Sequence, residues 1–214
     1  MGATLKLCLL LQALLFSQAS WAAITVLSEP DDPVRIGILA LEREATVITD
    51  QMPDITVERI SNLPAEAFSI ERAGEDILIR GGDSPGLMYG LMDVAEQLRN
   101  GGSWKAIEPR RELPRFAFRA IKFNLPWFAY RSNDAITLHY ERCRDLSFWE
   151  DFLDMMAENR FNVLSLWNLH PWPYLVQTEN FPWANLHADE EMAEWRALYR
   201  GIFRLARERG IDTY

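Results

Sequence analysis

Cysteine is scarce in this sequence, and its scarcity excludes a fold held together by disulfides. The only two cysteines are Cys8 and Cys143, and Cys8 lies in an N-terminal apolar run that we expect to be removed. A single remaining cysteine cannot form an internal disulfide. Cys143 as a nucleophile would need a nearby base, and the sequence supplies none, so we interpret it as a bystander.

Positive charge is also scarce. The chain has 22 Lys and Arg residues against 31 Asp and Glu residues, which gives a formal net charge of -9. Nucleic acids and anionic membranes attract basic surfaces, and the sequence has no basic stripe. We therefore predict no nucleic-acid partner, and no membrane partner once the N-terminal segment is removed.

Long apolar runs are confined to the N-terminus. Residues 1–22 carry Lys6, then the run LCLLLQALLF, and end with the small residues Ser20 and Ala22. This order is typical of a secretory signal peptide cleaved after Ala22, which predicts a secreted or periplasmic protein. The alternative, a membrane anchor, would need about 20 apolar residues in a row.

Metal-binding motifs are missing as well. The chain has three histidines, His139, His170 and His187, and none of them belongs to an H-E-x-x-H pair. A lone histidine is more often a hydrogen-bonded structural residue than a metal ligand. We predict neither a metal nor a cofactor.

A glycine-rich run, GGDSPG, occupies residues 81–86. It fits neither of the common phosphate-binding patterns, and no lysine follows it. Gly82, Gly86 and Gly90 instead recur every four residues. This spacing indicates one face of a helix that lies close to a sheet.

The region from residue 23 to about residue 110 alternates β-rich runs with helical patterns. The first helix is predicted to start at Asp32-Pro33, and the second to start at Asp83 or Ser84 and to end at Asn100 with two glycines. Strands are predicted at 24–27, 55–60, 67–72 and 76–81. We interpret this region as a small α/β auxiliary domain with helices on one face of a mixed sheet.

Residues 101–116, rich in glycine, proline and charge, read as a linker. Beyond it, strands are predicted at 118–125 and 161–167, and IDTY begins a third. Ser147 and Glu150 form a capping-box pattern at the head of one helix, and a second helix from about Asp189 to Arg209 is followed by Gly210. Near-continuous apolar strands alternating with helices indicate a parallel sheet over residues 111–214. A chain that ends inside a strand is expected to be truncated.

The carboxyl ends of parallel strands are where function is expected. Aromatic, amide and cationic residues follow both predicted strands there: Asn124, Pro126, Trp127, Phe128, Tyr130 and Arg131 after the first, and Trp167, Asn168, His170, Trp172 and Tyr174 after the second. Such a mixture suits a sugar, whose C–H faces stack on rings while its hydroxyls bind polar side chains. The alternative for any single aromatic residue is the core.

No catalytic acid can be named from the sequence. Glycoside hydrolysis requires two positioned carboxyl groups, or one together with a group of the substrate. Glu141, Asp145, Asp151 and Asp154 lie in a loop or on a helix expected to pack outside the sheet. We interpret them as a solvated face.

The order of these parts resembles exo-acting glycoside hydrolases of family 20 (β-N-acetylhexosaminidases) and family 67 (α-glucuronidases). The run ILIRGGDSPGLMYGLMDVAEQL is similar to the end of their small N-terminal domain. LPRFAFRAIKFNL is similar to the start of the family 20 barrel, and FLDMMAENRFNVLSLWNLHPW and FRLARERGIDTY resemble the following units. The resemblance implies a small α+β domain followed by the first two to three β/α units of a truncated (β/α)8 TIM barrel.

The resemblance also implies a glycoside hydrolase that acts on a hexosaminide or uronide, with a carbohydrate as its partner. By the resemblance of LPRFAFRAIKFNL to family 20, Arg119 would take the place of an arginine that binds substrate hydroxyls. Substrate contacts are predicted at Arg119, Asn124, Trp127, Trp167, Asn168, His170 and Trp172. The catalytic carboxylates of both families lie further along the chain, so the 214 residues are expected to be inactive alone. The alternatives are a secreted, non-catalytic carbohydrate-binding or interaction module and a barrel enzyme with a non-sugar substrate.

Overall fold

A computed structural model describes residues 24–125, 134–167, 172–185 and 187–214. The predicted signal peptide, residues 1–22, lies outside the described residues. The fold is α+β, and the chain divides into two compact units, Met1–Leu113 and Pro114–Tyr214.

The first unit contains a mixed five-stranded sheet with two helices. Its elements are β1 (Ile24–Val26), α1 (Asp32–Ala45), β2 (Ile55–Arg59), β3 (Phe68–Ala73), β4 (Asp76–Gly81), α2 (Ser84–Gly101), a 3-10 turn (Trp104–Ala106) and β5 (Arg110–Glu112). The strand order is β1-β2-β4-β3-β5, with β1, β2 and β4 parallel and β3 antiparallel to both of its neighbours. The strands and helices predicted between residues 24 and 101 are confirmed.

Aspartate side chains begin both helices of this unit. The Val34 N–H donates to the carboxylate of Asp31 at 3.4 Å, one residue before the predicted cap, and α1 follows. Asp83 caps α2 as predicted, because its Oδ1 accepts from the Gly86 N–H at 2.8 Å. These bonds satisfy backbone N–H groups that a helix leaves without a partner.

Two glycines let α2 lie close to the sheet, as the spacing predicted. A Cβ on Gly90 would meet Cγ2 of Ile79 at 2.7 Å, and a Cβ on Gly86 would overlap the carbonyl oxygen of Ala67. Gly82 is the exception to the predicted helix face, since it precedes the first residue of α2.

The linker prediction for residues 101–116 is wrong over the part that contains β5. This strand pairs with β3. Its first residue, Arg110, donates to Oδ2 of Asp93, a carboxylate buried on α2, at 3.1 Å. The Glu108 N–H donates to Oε1 of Gln97 at 2.8 Å. The strand is short and charged, so its sequence shows no apolar alternation from which a strand could be predicted. Its backbone pairing and its ion pair hold it in place instead.

The second unit contains a parallel sheet of three strands in the order β6-β7-β8. Its elements are β6 (Ala120–Asn124), α3 (Asp134–Cys143), α4 (Leu146–Glu158), β7 (Val163–Trp167), α5 (Trp172–Leu175), a 3-10 turn (Pro182–Ala184), α6 (Asp189–Glu208) and β8 (Asp212–Thr213). The predicted alternation of parallel strands and helices is confirmed for these elements. Gly210, with a φ of 63°, follows α6 as predicted.

One face of this sheet packs into an apolar core. Ile121 and Phe123 of β6 lie opposite Leu164 and Leu166 of β7 in the register. All four pack into a cluster whose buried members include Trp149, Leu153, Met156, Trp195, Ile202 and Leu205. Because strand side chains alternate between faces, Ala120, Lys122 and Asn124 lie on the opposite face of the sheet.

The capping box predicted at Ser147 and Glu150 is wrong. Asp145 caps α4, because its Oδ1 accepts from the Ser147 N–H at 2.9 Å and its Oδ2 accepts from the Ser147 hydroxyl at 2.7 Å. These two hydrogen bonds are the main reason that the pKa of Asp145 is lowered. Sequence spacing alone could not distinguish the two caps, since both Asp145 and Ser147 are short polar residues ahead of the buried apolar residues of α4.

Candidate functional site

The two complete parallel strands of the second unit end side by side. Asn124, the last residue of β6, is the register partner of Trp167, the last residue of β7. Asn124 is exposed and lies on the sheet face opposite the apolar core. The structure therefore brings these two predicted site residues to one edge, where parallel α/β folds place their ligands.

Arg119 lies at the other end of β6, directly before its first residue. Its Nε donates to the carbonyl oxygen of Arg160 at 2.6 Å and its Nη1 to that of Phe116 at 2.7 Å. Its backbone N–H donates to Oδ1 of Asn162 at 2.9 Å. Five residue steps along a strand separate Arg119 from Asn124 by roughly 16 Å. The two are not brought together, and substrate binding by Arg119 stays a prediction.

The structure does not locate the side chains of the remaining predicted sugar contacts. Trp127, Asn168 and His170 lie outside the described residues. Trp167 and Trp172 are placed by their backbones, at the end of β7 and at the start of α5. Their roles as sugar contacts stay predictions.

Tyr174, which the sequence placed in the loop facing a ligand, belongs to the core instead. Its ring centroid lies 4.7 Å from that of Trp195 and 5.0 Å from that of His187. Burial, followed by the neighbouring Tyr140 and Tyr199, raises the pKa of Tyr174 to about 12. A helical turn at 172–175, which the two prolines concealed, directs this ring towards α6.

His187 is held between this aromatic cluster and α6. Its Nδ1 lies 3.0 Å from Oε2 of Glu191, one helical turn away. Across the described residues, no group of His, Cys, Asp or Glu side chains is arranged to hold a metal ion. Over the same residues, no helix has the length and apolar character needed to cross a bilayer.

A polar cleft of about 360 Å³ lies between α6 and the end of α3 with the segment that follows it, and it is lined by Glu141, Arg144, Asp145, Glu194, Trp195 and Leu198. The Arg144 guanidinium lies 4.8 Å from the ring centroid of Trp195, 5.5 Å from that of Tyr140, and 3.3 Å from Oε2 of Glu194. The guanidinium therefore covers the rings of Trp195 and Tyr140 through cation–π contacts, which leaves less of their surface for a ligand. This cleft is on the helix side of the sheet, away from the face that carries Asn124.

The four carboxylates noted in the sequence do not converge on the carboxyl edge. Asp145 caps a helix, and Asp154 binds the guanidinium of Arg209 at 2.6 Å. Glu141 and Asp151 are exposed. The interpretation as a solvated face therefore fits Glu141 and Asp151, whereas Asp145 and Asp154 have structural roles.

Cys143 is buried, and desolvation raises the pKa of its thiol. A neutral, inaccessible thiol is a poor nucleophile, which favours the bystander interpretation. The Cys143 carbonyl accepts from Nε1 of Trp149 at 2.7 Å, so the residue ties α3 to α4 through its backbone.

Sequence reasoning missed two aromatic residues further along the loop between β7 and α6. Phe181 precedes the 3-10 turn and Trp183 lies within it, with exposed fractions of 56% and 77%. The signal was present in the run TENFPWANL, where aromatic residues continue beyond Tyr174. The signal was weak because the residues around these two aromatic side chains have a composition that is ordinary for a protein surface.

Comparisons with known proteins give matches of fold. No protein-family model matches the sequence, and no curated protein matches it. A GH138 enzyme that targets pectin rhamnogalacturonan II superimposes with a TM-score of 0.75 and 22% identity, over 89% of this chain and 24% of that enzyme. A β-N-acetylhexosaminidase from Bacteroides fragilis gives 0.58 and 16%, over 89% of this chain and 39% of its own length.

A third match is a family GH115 4-O-methyl-α-glucuronidase with specificity for decorated arabinogalactans. Its TM-score is 0.55 at 16% identity, over 88% of this chain and 27% of that enzyme. The chain thus spans 24% to 39% of the lengths of these three structures. At such identities the likeness is one of fold, and these three structures are glycoside hydrolases.

Proposed function

We propose that this chain is part of a glycoside hydrolase that acts from the end of a saccharide chain on a hexosaminide or a uronide. The likeness of fold to the GH138 enzyme, at a TM-score of 0.75 over 89% of the chain, carries the proposal. The hexosaminidase and the glucuronidase support it, since they share the fold and act on sugars.

In this proposal the sugar lies at the carboxyl edge of the β6-β7-β8 sheet. Asn124 is placed there by the register, and its amide can donate to one hydroxyl and accept from another. The proposed contacts from Trp127, Trp167, Asn168, His170 and Trp172 would surround it. Rings that stack on a pyranose and amides that bind its hydroxyls are the usual division of labour in such a pocket.

The catalytic carboxyl groups are proposed to lie outside these 214 residues. Two carboxyl groups must flank a scissile glycosidic bond about 5 to 10 Å apart. The carboxylates of the described part that sequence analysis considered are engaged elsewhere or exposed. This chain would supply substrate binding, and later strands of a (β/α)8 barrel would supply the chemistry.

The proposal has three further parts that rest on the sequence. Residues 1–22 are a signal peptide, so the protein is secreted or periplasmic. Residues 23–110 are an auxiliary domain of the hexosaminidase and α-glucuronidase type. Residues 111–214 begin the catalytic barrel.

Sugar binding by full-length protein containing this chain tests the proposal directly. Calorimetric titration with N-acetylglucosamine, glucuronate and short oligosaccharides, together with hydrolysis of their 4-nitrophenyl glycosides, should show binding and turnover of at least one. Asn124→Ala should weaken that binding roughly tenfold, the effect of losing one or two sugar hydrogen bonds.

The matched control is Asn100→Ala, which removes an exposed asparagine from α2 in the other unit. It should leave both affinity and turnover unchanged. A full-length protein that neither binds nor cleaves any of these sugars would refute the proposal. Equal effects of the two substitutions would refute the assignment of the site to the carboxyl edge.

A further inference from the structure

Phe181 and Trp183 form an exposed aromatic pair. Their ring centroids lie 5.5 Å apart at an interplanar angle of 88°. The edge of one ring therefore faces the other, while flat ring surface stays open to solvent. Large aromatic side chains usually contribute to stability by burial. An indole that is 77% exposed beside a second exposed ring contributes little in this way and has a flat surface available to bind a ligand.

The loop that carries the pair is held in place by its own side chains. Oδ1 of Asn185 accepts from the Thr178 N–H at 2.8 Å, and its Nδ2 donates back to the Thr178 carbonyl at 3.2 Å. The Thr178 hydroxyl donates to the carbonyl of Phe181 at 2.7 Å. These bonds close a short loop around the aromatic pair, so little conformational entropy remains to be lost when a ligand binds.

Two more contacts fix this loop to α6. Nε2 of Gln177 donates to Oδ1 of Asp189 at 2.8 Å, and Nε of Arg196 donates to the carbonyl of Leu175 at 3.2 Å. Since α6 runs back to the amino end of β8, its first residue points to the carboxyl edge of the sheet. The aromatic pair therefore belongs to the same side of the second unit as Asn124.

Charge around the pair selects the kind of ligand. From Asn168 to Arg196 the sequence contains one basic residue, Arg196, whose guanidinium donates to the Leu175 carbonyl and to Oε1 of Gln177. Five acidic residues lie in that interval: Glu179, Asp189, Glu190, Glu191 and Glu194. A negatively charged ligand would be repelled, whereas a neutral one is unaffected.

The size of the pair also argues against a protein partner. A stable protein interface buries roughly 800 Å² on each side, whereas one aromatic side chain buries about 150 to 250 Å². One indole face with a second ring beside it matches the C–H face of a single pyranose.

We propose that Trp183, supported by Phe181, is a stacking platform for a neutral pyranose unit of an oligosaccharide. This unit would be a neighbour of the one bound near Asn124, so the inference rests on the proposed function and extends its site to a second sugar. The charge around the loop commits it to neutral sugars, N-acetylated ones included, rather than uronates.

The test compares full-length wild-type protein with Trp183→Ala. Affinities are measured by calorimetry for a neutral trisaccharide, its monosaccharide and a uronate oligomer, and across an array of neutral and acidic glycans. The substitution should weaken trisaccharide binding roughly tenfold and leave monosaccharide binding unchanged, because only the longer ligand reaches the platform. Trp183→Phe should restore part of the loss.

Phe116→Ala is the matched control, since Phe116 is similarly exposed but precedes β6 at the amino end of the strand. Equal trisaccharide affinity of Trp183→Ala and wild type would overturn the platform, while a loss of binding in Asn124→Ala would show that the proposed function survives. Preference of the wild type for uronate oligomers that depends on Trp183 would also overturn it. Failure of the wild type to bind any neutral glycan would overturn both proposals.

Discussion

Arg209, at the end of α6, is a charged residue buried in the second unit. Its Nε donates to Oδ1 of Asp154 at 2.6 Å, and its Nη1 donates to the carbonyl of Leu205 at 3.1 Å. Glu150 is a more distant partner, with Oε1 3.8 Å from Nη2. A guanidinium that has lost its hydration depends on the partner that stays within hydrogen-bond distance. Of the two α4 carboxylates near this guanidinium, Asp154 is therefore expected to stabilise the fold.

Asp154→Ala should lower the free energy of unfolding by about 2 kcal/mol, below the usual cost of breaking a buried pair because the Asp154 side chain is 41% exposed. Glu150→Ala removes a carboxylate that is 58% exposed from the same guanidinium and should cost less than about 0.5 kcal/mol. Urea unfolding of both variants and the wild type measures the two losses in the free energy of unfolding. Equal losses would show that the guanidinium is satisfied by charge alone and not by the short hydrogen bond.

At the scale of elements, close approach between α2 and the sheet depends on Gly90. Ile79, the residue that a new Cβ would meet, is fully buried and cannot move aside without disturbing the sheet. Gly201 in α6 offers a contrast. A Cβ there would meet the end of the Leu146 side chain at 2.6 Å, but that side chain is partly exposed and flexible.

Gly90→Ala should therefore destabilise the protein by about 1 to 2 kcal/mol, as overpacking exceeds the gain in helix propensity. Gly201→Ala should be neutral or stabilising by up to about 1 kcal/mol, since the leucine can rotate away and the helix gains an alanine. Thermal unfolding followed by circular dichroism measures both. A Gly90→Ala variant as stable as wild type would contradict the close approach of α2 to β4.

The elements that sequence reasoning predicted well are those whose signals are local. Apolar alternation predicted the inner strands, and Asp83 with Gly102 predicted the ends of α2. β5 was missed because its charged residues pair with distant partners. The cap of α4 was assigned to Ser147 because two overlapping patterns compete, and only backbone geometry selects Asp145.

At the scale of the whole molecule, the candidate site was only partly predictable. The predicted strands end at Asn124 and Trp167, and the register shows these two residues side by side, whereas their binding of a sugar stays a prediction. The predicted strand at 118–125 already placed Arg119 at its amino end, but the hydrogen bonds of its guanidinium to the carbonyls of Arg160 and Phe116 depend on tertiary contacts that the sequence does not show. Tyr174 was placed in the loop for a similar reason, because its burial depends on contacts with α6.

The core of the second unit makes the stability of the whole chain sensitive to alkaline pH. Burial raises the pKa of Tyr174 to about 12, and desolvation also raises the pKa values of Tyr140 and Cys143. These groups keep their protons in the folded state at pH values where the unfolded chain has lost them. The contribution of the two tyrosines is therefore complete below about pH 9 and that of Cys143 below about pH 7.5, and both are lost as the pH rises through the folded-state pKa values. Tyr174 alone should account for about 2 kcal/mol of that loss.

Urea unfolding between about pH 8.5 and about pH 11.5 should show a steadily falling free energy of unfolding in the wild type and a shallower fall in Tyr174→Phe. The exposed Tyr214, changed to Phe, should leave the slope unchanged. An equally steep fall in Tyr174→Phe would mean that the buried hydroxyl does not govern the alkaline limit.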